Sequence, residues 1–240
     1  MPTAAAERGC RNGNAHACTE AGLSYRNGRG VVRNETTAAG YYQRGCDGGD
    51  PYGCVDLGQL YFQGAGLTRD DSKAASLYQK GCDAGVAAGC LFLGGMYQTG
   101  RSLPRDEPRA FNLFVKACDG NNVAACNEAA MMMEPGRGGT RDDARAFQFL
   151  KKSCDGNFLL GCRNLGIRYE EGRGVPRNDQ LALQVFQKAC SGALGVACTN
   201  IGDMFAQGRG VPKSDAEAKV FYGKACDAGD QNGCRLKGGG

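Results

Sequence analysis

The sequence predicts an all-α solenoid of 36-residue helix-turn-helix repeats, each stapled by one Cys-x7-Cys disulfide, and three observations predict it. Fourteen cysteines fall into seven pairs whose first members, Cys10, Cys46, Cys82, Cys118, Cys154, Cys190 and Cys226, are each 36 residues apart. The second members, Cys18, Cys54, Cys90, Cys126, Cys162, Cys198 and Cys234, each follow eight residues later. Between them apolar residues recur at helical spacing without any insertion. The chain therefore reads as one supersecondary unit copied about six times, a single array over 1–240 with partial units at 1–33 and 214–240. A unit this small cannot bury its own apolar face, so stability comes from stacking on its neighbours.

Within the template Asp70–Arg105 the first helix is DDSKAASLYQKGC, with Ala74, Leu77, Tyr78 and Cys82 on one face. Asp70 or Asp71 is its N-cap. A matching pair recurs as Asn34-Glu35, Asp106-Glu107, Asp142-Asp143, Asn178-Asp179 and Ser214-Asp215, and Ser214 with Glu217 fits a capping box. A basic residue two before each first cysteine (Arg44, Lys80, Lys116, Lys152, Lys188, Lys224) suits the negative end of the helix dipole. Gly49, Gly85 or Gly229 then supplies a left-handed residue. A second helix follows, roughly Ala87 to Gln98 in the template, carrying Cys90, Leu93, Gly94 and Tyr97.

Mid-helix glycine is costly, so its recurrence at Gly22, Gly58, Gly94, Gly166 and Gly202 implies close backbone approach between packed helices. Tyr25, Tyr61, Tyr97, Tyr169 and Phe205 fill the gap toward the next unit. The loops GRGV and GAGL close each repeat. They lack the Lys-Ser or Lys-Thr of a phosphate loop, and their repetition marks them as inter-repeat turns. One unit departs: in CNEAAMMMEPGRGGT, Ala129, Ala130 and Met133 replace Leu, Gly and Tyr, and an early Pro135 is expected to bend the superhelix there. Its methionines read as packing rather than as an adaptable surface.

Evenly spaced cysteines in even number imply a disulfide framework and an oxidising compartment, with the within-pair bridge favoured over other connectivities. Zinc and reduced buried thiols are the competing readings; seven intervening residues and a single His argue against metal. The net charge is only +4, with acids and bases interleaved, so no basic block tracks a nucleic-acid backbone. A basic row at Arg33, Arg69, Arg105, Arg141, Arg177 and Lys213 reads as a solvated edge beside the acidic helix starts. No stretch reaches transmembrane length, and MPTAAAERGC holds no signal peptide. The clipped look of both ends fits a segment excised from an exported protein.

The pattern AxxxY(Q/K)K(G/A)CDxGxxxxCxxLGxxYxxGxGVP(R/K) resembles the Sel-one-like repeat, a relative of the tetratricopeptide repeat, and its cysteine pair resembles the disulfide-rich Hcp-type branch of bacterial secreted cysteine-rich proteins. The resemblance spans essentially the whole chain. It implies a right-handed solenoid with first helices lining the concave side, seven within-pair bridges, and a secreted or periplasmic location. A mitochondrial intermembrane-space branch leaves that compartment as the minor alternative. Members of the Hcp-type group have been described as penicillin-binding or weakly β-lactamase-like.

Of the catalytic strings such a hydrolase needs, S-x-x-K, S-D-N and K-T-G, none occurs, and bridged cysteines are poor nucleophiles. His16 stands alone in a slot filled by Tyr52, Ala88, Ala124, Leu160, Val196 and Asn232 in other units. No catalytic residue, metal or cofactor is assigned. Variable first-helix positions instead form a polar stripe, expected to face the groove: Gln43, Ser76, Gln79, Asn112, Gln148, Lys151, Gln184 and Gln187. Their amides both donate and accept, which suits the backbone of an extended peptide or a glycan. The expected function is a non-catalytic exported scaffold, acting as a monomer on a protein or peptide, a peptidoglycan fragment or a β-lactam, with a β-lactamase-like hydrolase as the alternative.

Overall fold

The structure, a computed structural model, describes residues 2–134 and 137–238. Among the described residues there are fourteen α-helices and no strand. They fall into two compact units, Met1–Asn122 and Val123–Gly240. The first holds α1 (Pro2–Arg11), α2 (Ala15–Asn27), α3 (Glu35–Asp47), α4 (Pro51–Gln63), α5 (Asp71–Asp83), α6 (Ala87–Thr99) and α7 (Glu107–Asp119). The second holds α8 (Val123–Met132), α9 (Asp143–Asp155), α10 (Leu159–Glu171), α11 (Asp179–Ser191), α12 (Gly195–Gln207), α13 (Asp215–Asp227) and α14 (Gln231–Gly238). Odd-numbered helices are the first helices of the repeats and even-numbered ones the second.

Of the two candidate caps in the template, Asp70 is the N-cap: its side chain accepts from the Lys73 N–H. Asn34, Asp106, Asp142, Asn178 and Ser214 cap their helices in the same way. Only half of the expected capping box forms. Ser214 Oγ accepts from the Glu217 N–H at 3.2 Å, but the Ser214 N–H already donates to the Phe205 carbonyl at 2.9 Å, so Glu217 has no donor left to satisfy. That latch recurs from Asn34 to Tyr25, Asp70 to Tyr61, Asp106 to Tyr97 and Asn178 to Tyr169. It fixes the length of each inter-repeat turn. In the turn after α4, Gly64 ends the helix at φ 69° and Gly66 follows at φ 67°, where a Cβ would stand 2.4 Å from the Glu35 carbonyl carbon. Only glycine fits both demands.

The mid-helix glycines serve a different contact from the one their spacing suggests. What fills the space beside them is an aromatic ring of the next first helix rather than backbone. A Cβ at Gly22 would lie 2.7 Å from Tyr42, at Gly58 2.9 Å from Tyr78, at Gly94 2.8 Å from Phe114, at Gly166 2.4 Å from Phe186 and at Gly202 2.4 Å from Tyr222. In the departing unit Ala130 stands in the glycine slot and Leu150, smaller than a ring, in the aromatic slot; both are fully buried. The two changes offset each other in volume. Met132 and Met133 are buried as well, so these methionines pack. The bend expected at Pro135 lies outside the described residues.

Within-pair bridges join Cys10–Cys18, Cys46–Cys54, Cys82–Cys90, Cys154–Cys162, Cys190–Cys198 and Cys226–Cys234. Their Cα separations run from 4.3 to 4.8 Å, at the short end of what a disulfide spans. Cys118 and Cys126 are oxidised too, and no described cysteine is free. Each bridge ties the last turn of a first helix to the first turn of a second.

Candidate functional site: the polar face of the first helices

The eight stripe residues all lie on first helices. Gln43 (α3), Ser76 and Gln79 (α5) and Asn112 (α7) belong to the first unit; Gln148 and Lys151 (α9) and Gln184 and Gln187 (α11) belong to the second. All are exposed except Gln79, which is half-buried. Three already hold a partner four residues on: Gln43 donates to Asp47 at 2.9 Å, Gln79 to Asp83 at 2.8 Å and Lys151 to Asp155 at 2.7 Å. The stripe is therefore partly self-satisfied. Ser76, Asn112, Gln148, Gln184 and Gln187 keep their hydrogen-bonding groups for solvent or a ligand.

Clefts open along this face among the described residues. One of about 310 Å³ is lined by Thr37, Gly40, Tyr41 and Arg44 of α3. Another of about 290 Å³ lies where Ser72, Ser76 and Gln79 of α5 meet Leu93 and Tyr97 of α6. A third, of about 490 Å³, opens in the second unit between α11 and α13, with Cys198 and Ile201 of α12 beneath it.

The basic row, read from its spacing as a solvated edge beside the acidic helix starts, forms ion pairs at five of its six positions. Arg33 pairs with Glu35, Arg69 with Asp71 at 2.9 Å, Arg105 with Glu107, Arg141 with Asp143 at 2.8 Å and Arg177 with Asp179 at 2.9 Å. Hydrogen bonds from Arg69 and Arg101 hold the Asp71 carboxyl well below the usual carboxylate range. The cation before the first cysteine does more than complement a dipole. Arg44 donates to the Cys10 carbonyl at 2.9 Å and Lys188 to the Cys154 carbonyl at 2.7 Å, linking successive first helices.

Two charged sites escape the spacing argument. Arg168 of α10 is 3% exposed and pairs with Glu134 and, at 3.0 Å, with Asp143. Arg173 joins both acids at 2.7 and 3.1 Å. Burial pushes the Glu134 carboxyl up, but Arg173 and Arg168 outweigh it and hold it below its ordinary value. The signal was present in the sequence, since Arg168 occupies the slot of Leu60, Met96 and Met204. The other is Asp56 of α4, whose carboxyl burial pushes up to about 6, with Asp50 and Glu20 adding to the effect and Arg26, 3.5 Å away, opposing it. His16 lies 3.2 Å from Asp50 and is largely exposed. Among the described residues no cluster of three or more His, Cys, Asp or Glu has metal-holding geometry, and no helix is long and apolar enough to cross a membrane.

Comparison with known proteins agrees with this architecture. No curated protein matches the sequence significantly. Among solved structures, a protective antigen of uropathogenic Escherichia coli displaying an SLR fold is 26% identical with a TM-score of 0.86, over 97% of this chain and 50% of that one, so the chain spans half the length of that protein. A Sel1 repeat protein from Oxalobacter formigenes is 24% identical with a TM-score of 0.82, over 90% of this chain and 88% of its own. Cysteine-rich protein B of Helicobacter pylori is 30% identical over 55% of this chain and 95% of its own, with a TM-score of 0.45. Sel1 repeat proteins are generally non-catalytic scaffolds that typically bind proteins. The Sel1 repeat model matches residues 15–50, 51–86, 87–122, 123–158, 159–193 and 195–230, and the chain belongs to the Sel1 repeat family.

Proposed function

We propose that the protein is an exported, non-catalytic scaffold that binds a protein or peptide, or a cell-wall fragment, through the groove lined by its first helices. The observation that carries this reading is the meeting of cleft and stripe in two places: Ser76 lines the cleft beside α5 and Gln187 the cleft between α11 and α13, and neither holds a side-chain partner. Such groups recognise peptide backbone by donating and accepting at once. Oxidation of every cysteine supports export, because disulfides persist in oxidising compartments. The secreted and periplasmic spaces meet that condition, as does the mitochondrial intermembrane space.

A peptide array probed with the purified chain tests the reading. Saturable binding is expected, weakened at least tenfold in a Gln79→Ala, Gln148→Ala, Gln187→Ala variant of unchanged melting temperature. An empty array, or equal binding by the variant, overturns it. Chromogenic β-lactam turnover abolished by a single polar-to-Ala change would replace it with the hydrolase reading.

A further inference from the structure

The side-chain pairing of the repeat is absent in α7, where Val115 stands opposite Asp119, and again in both helices that flank the cleft between α11 and α13. In α3, α5 and α9 the stripe residue bonds to the acid four positions on, which occupies both groups. In α11 that acid is replaced by Ser191, and in α13 the stripe residue is replaced by Gly223. Gln187 and Asp227 are thereby left without side-chain partners, and both line the cleft. Lys224, like Lys80 and Lys116, makes no bond to the carbonyl of the preceding first cysteine. Arg44 and Lys188, at the equivalent position, are tied to the carbonyl of the preceding first cysteine. The Lys224 Nζ instead stands 4.6 Å from the centre of the Phe221 ring and forms no ion pair with Asp227.

The floor of the same cleft is apolar: Phe221, Ile201 and the Cys190–Cys198 bridge. One rim offers an amide and a hydroxyl, Gln187 and Ser191; the other offers an ammonium and a carboxylate three residues apart on one helix face. Residues so spaced have Cβ atoms about 5–6 Å apart. A neutral ligand would desolvate both charges without pairing either, and a ligand of one sign would meet its like.

We propose that this cleft is the anchor site for a peptide segment in which one aliphatic side chain is flanked by one acidic and one basic residue. The aliphatic group sits on the floor, the acid meets Lys224, the base meets Asp227, and Gln187 bonds the ligand backbone. The proposal rests on the peptide-binding reading of the first-helix face and adds its place and its sequence preference.

Fluorescence anisotropy with four labelled peptides of the form Gly-Glu-Leu-Lys-Gly, Gly-Lys-Leu-Glu-Gly, Gly-Gln-Leu-Gln-Gly and Gly-Glu-Gly-Lys-Gly tests it. One of the two charged leucine peptides should bind at least tenfold more tightly than the uncharged and the leucine-free ones. The double variant Lys224→Glu, Asp227→Lys should reverse which charge order is preferred at unchanged melting temperature, and Asp227→Asn should weaken the preferred peptide about tenfold. Binding indifferent to these substitutions overturns the anchor while leaving the face as a binding surface. Failure of all four peptides, when the array yields other binders, also overturns the anchor alone. An empty array besides overturns both.

Discussion

Arg168 shows how one residue can depart from a repeat without breaking it. A guanidinium in a slot made for Leu or Met is retained because two carboxylates, Glu134 and Asp143, reach it. Removing one partner of a buried ion pair costs about 3–5 kcal/mol, whereas replacing the group by apolar residues can be neutral. Glu134→Leu with Asp143→Leu, which strands the buried Arg168 guanidinium, should therefore lower stability in urea denaturation by about 3 kcal/mol, and adding Arg168→Leu should recover most of it; equal losses would refute the account. Asp56 behaves in the opposite sense. Its folded pKa of about 6 lies above the unfolded value of 3.8, so the fold favours its protonated form. Its contribution is complete below about pH 4 and is lost as pH rises through 6, a cost of at most about 3 kcal/mol at neutrality. Asp56→Asn should raise the melting temperature at pH 7.5 and change it little at pH 4, and an equal shift at both would sink the assignment. Arg168 was legible as a misfit against its slot. Asp56 was not, because its slot also holds Glu20, Phe92 and Asn164, and only the packing of α2 against α4 brings Glu20 and Arg26 to it.

At the scale of the helix, the unit of packing is a glycine on a second helix against a ring on the next first helix. Gly94→Ala places a methyl 2.8 Å from the Phe114 ring, and overpacking of that kind costs about 1–3 kcal/mol. The chain contains its own remedy, Ala130 with Leu150. Gly94→Ala combined with Phe114→Leu should accordingly be more stable than the two single losses added together, a coupling that a double-mutant cycle by urea denaturation measures. Strict additivity would mean that ring and glycine do not share the space. Caps, turns and bridges could be read from the sequence because each is local, set by residues within a few positions of one another. The ring beside the glycine could not, since a missing Cβ shows that something comes close without showing what. The polar stripe was legible as a helix face, but its division into paired and free groups depends on rotamers that put Gln43, Gln79 and Lys151 onto their own acids.

For the molecule as a whole, the cysteine ladder supplies what its thin core does not. Each within-pair bridge closes a loop of about nine residues, which in the chain-entropy model contributes about 2.5 kcal/mol by restricting the unfolded chain. In a repeat protein, stability is a sum of unit and neighbour terms, so loss of one bridge weakens its own unit and the stacking on either side. Reductant should lower the melting temperature sharply, and an unchanged melt with fourteen titratable thiols would overturn this role for the bridges. Access sets the order of loss. Cys10, Cys82 and Cys162 are buried, whereas Cys226 is half-buried and Cys234 exposed at the start of α14. Attack by an external thiolate requires reaching a sulfur. Under limiting reductant with alkylating quench, peptide mass mapping should find Cys226 and Cys234 labelled first, with α14 released while the melting transition of the remaining helices is retained. Uniform labelling of all pairs from the outset would show instead that reduction follows global unfolding.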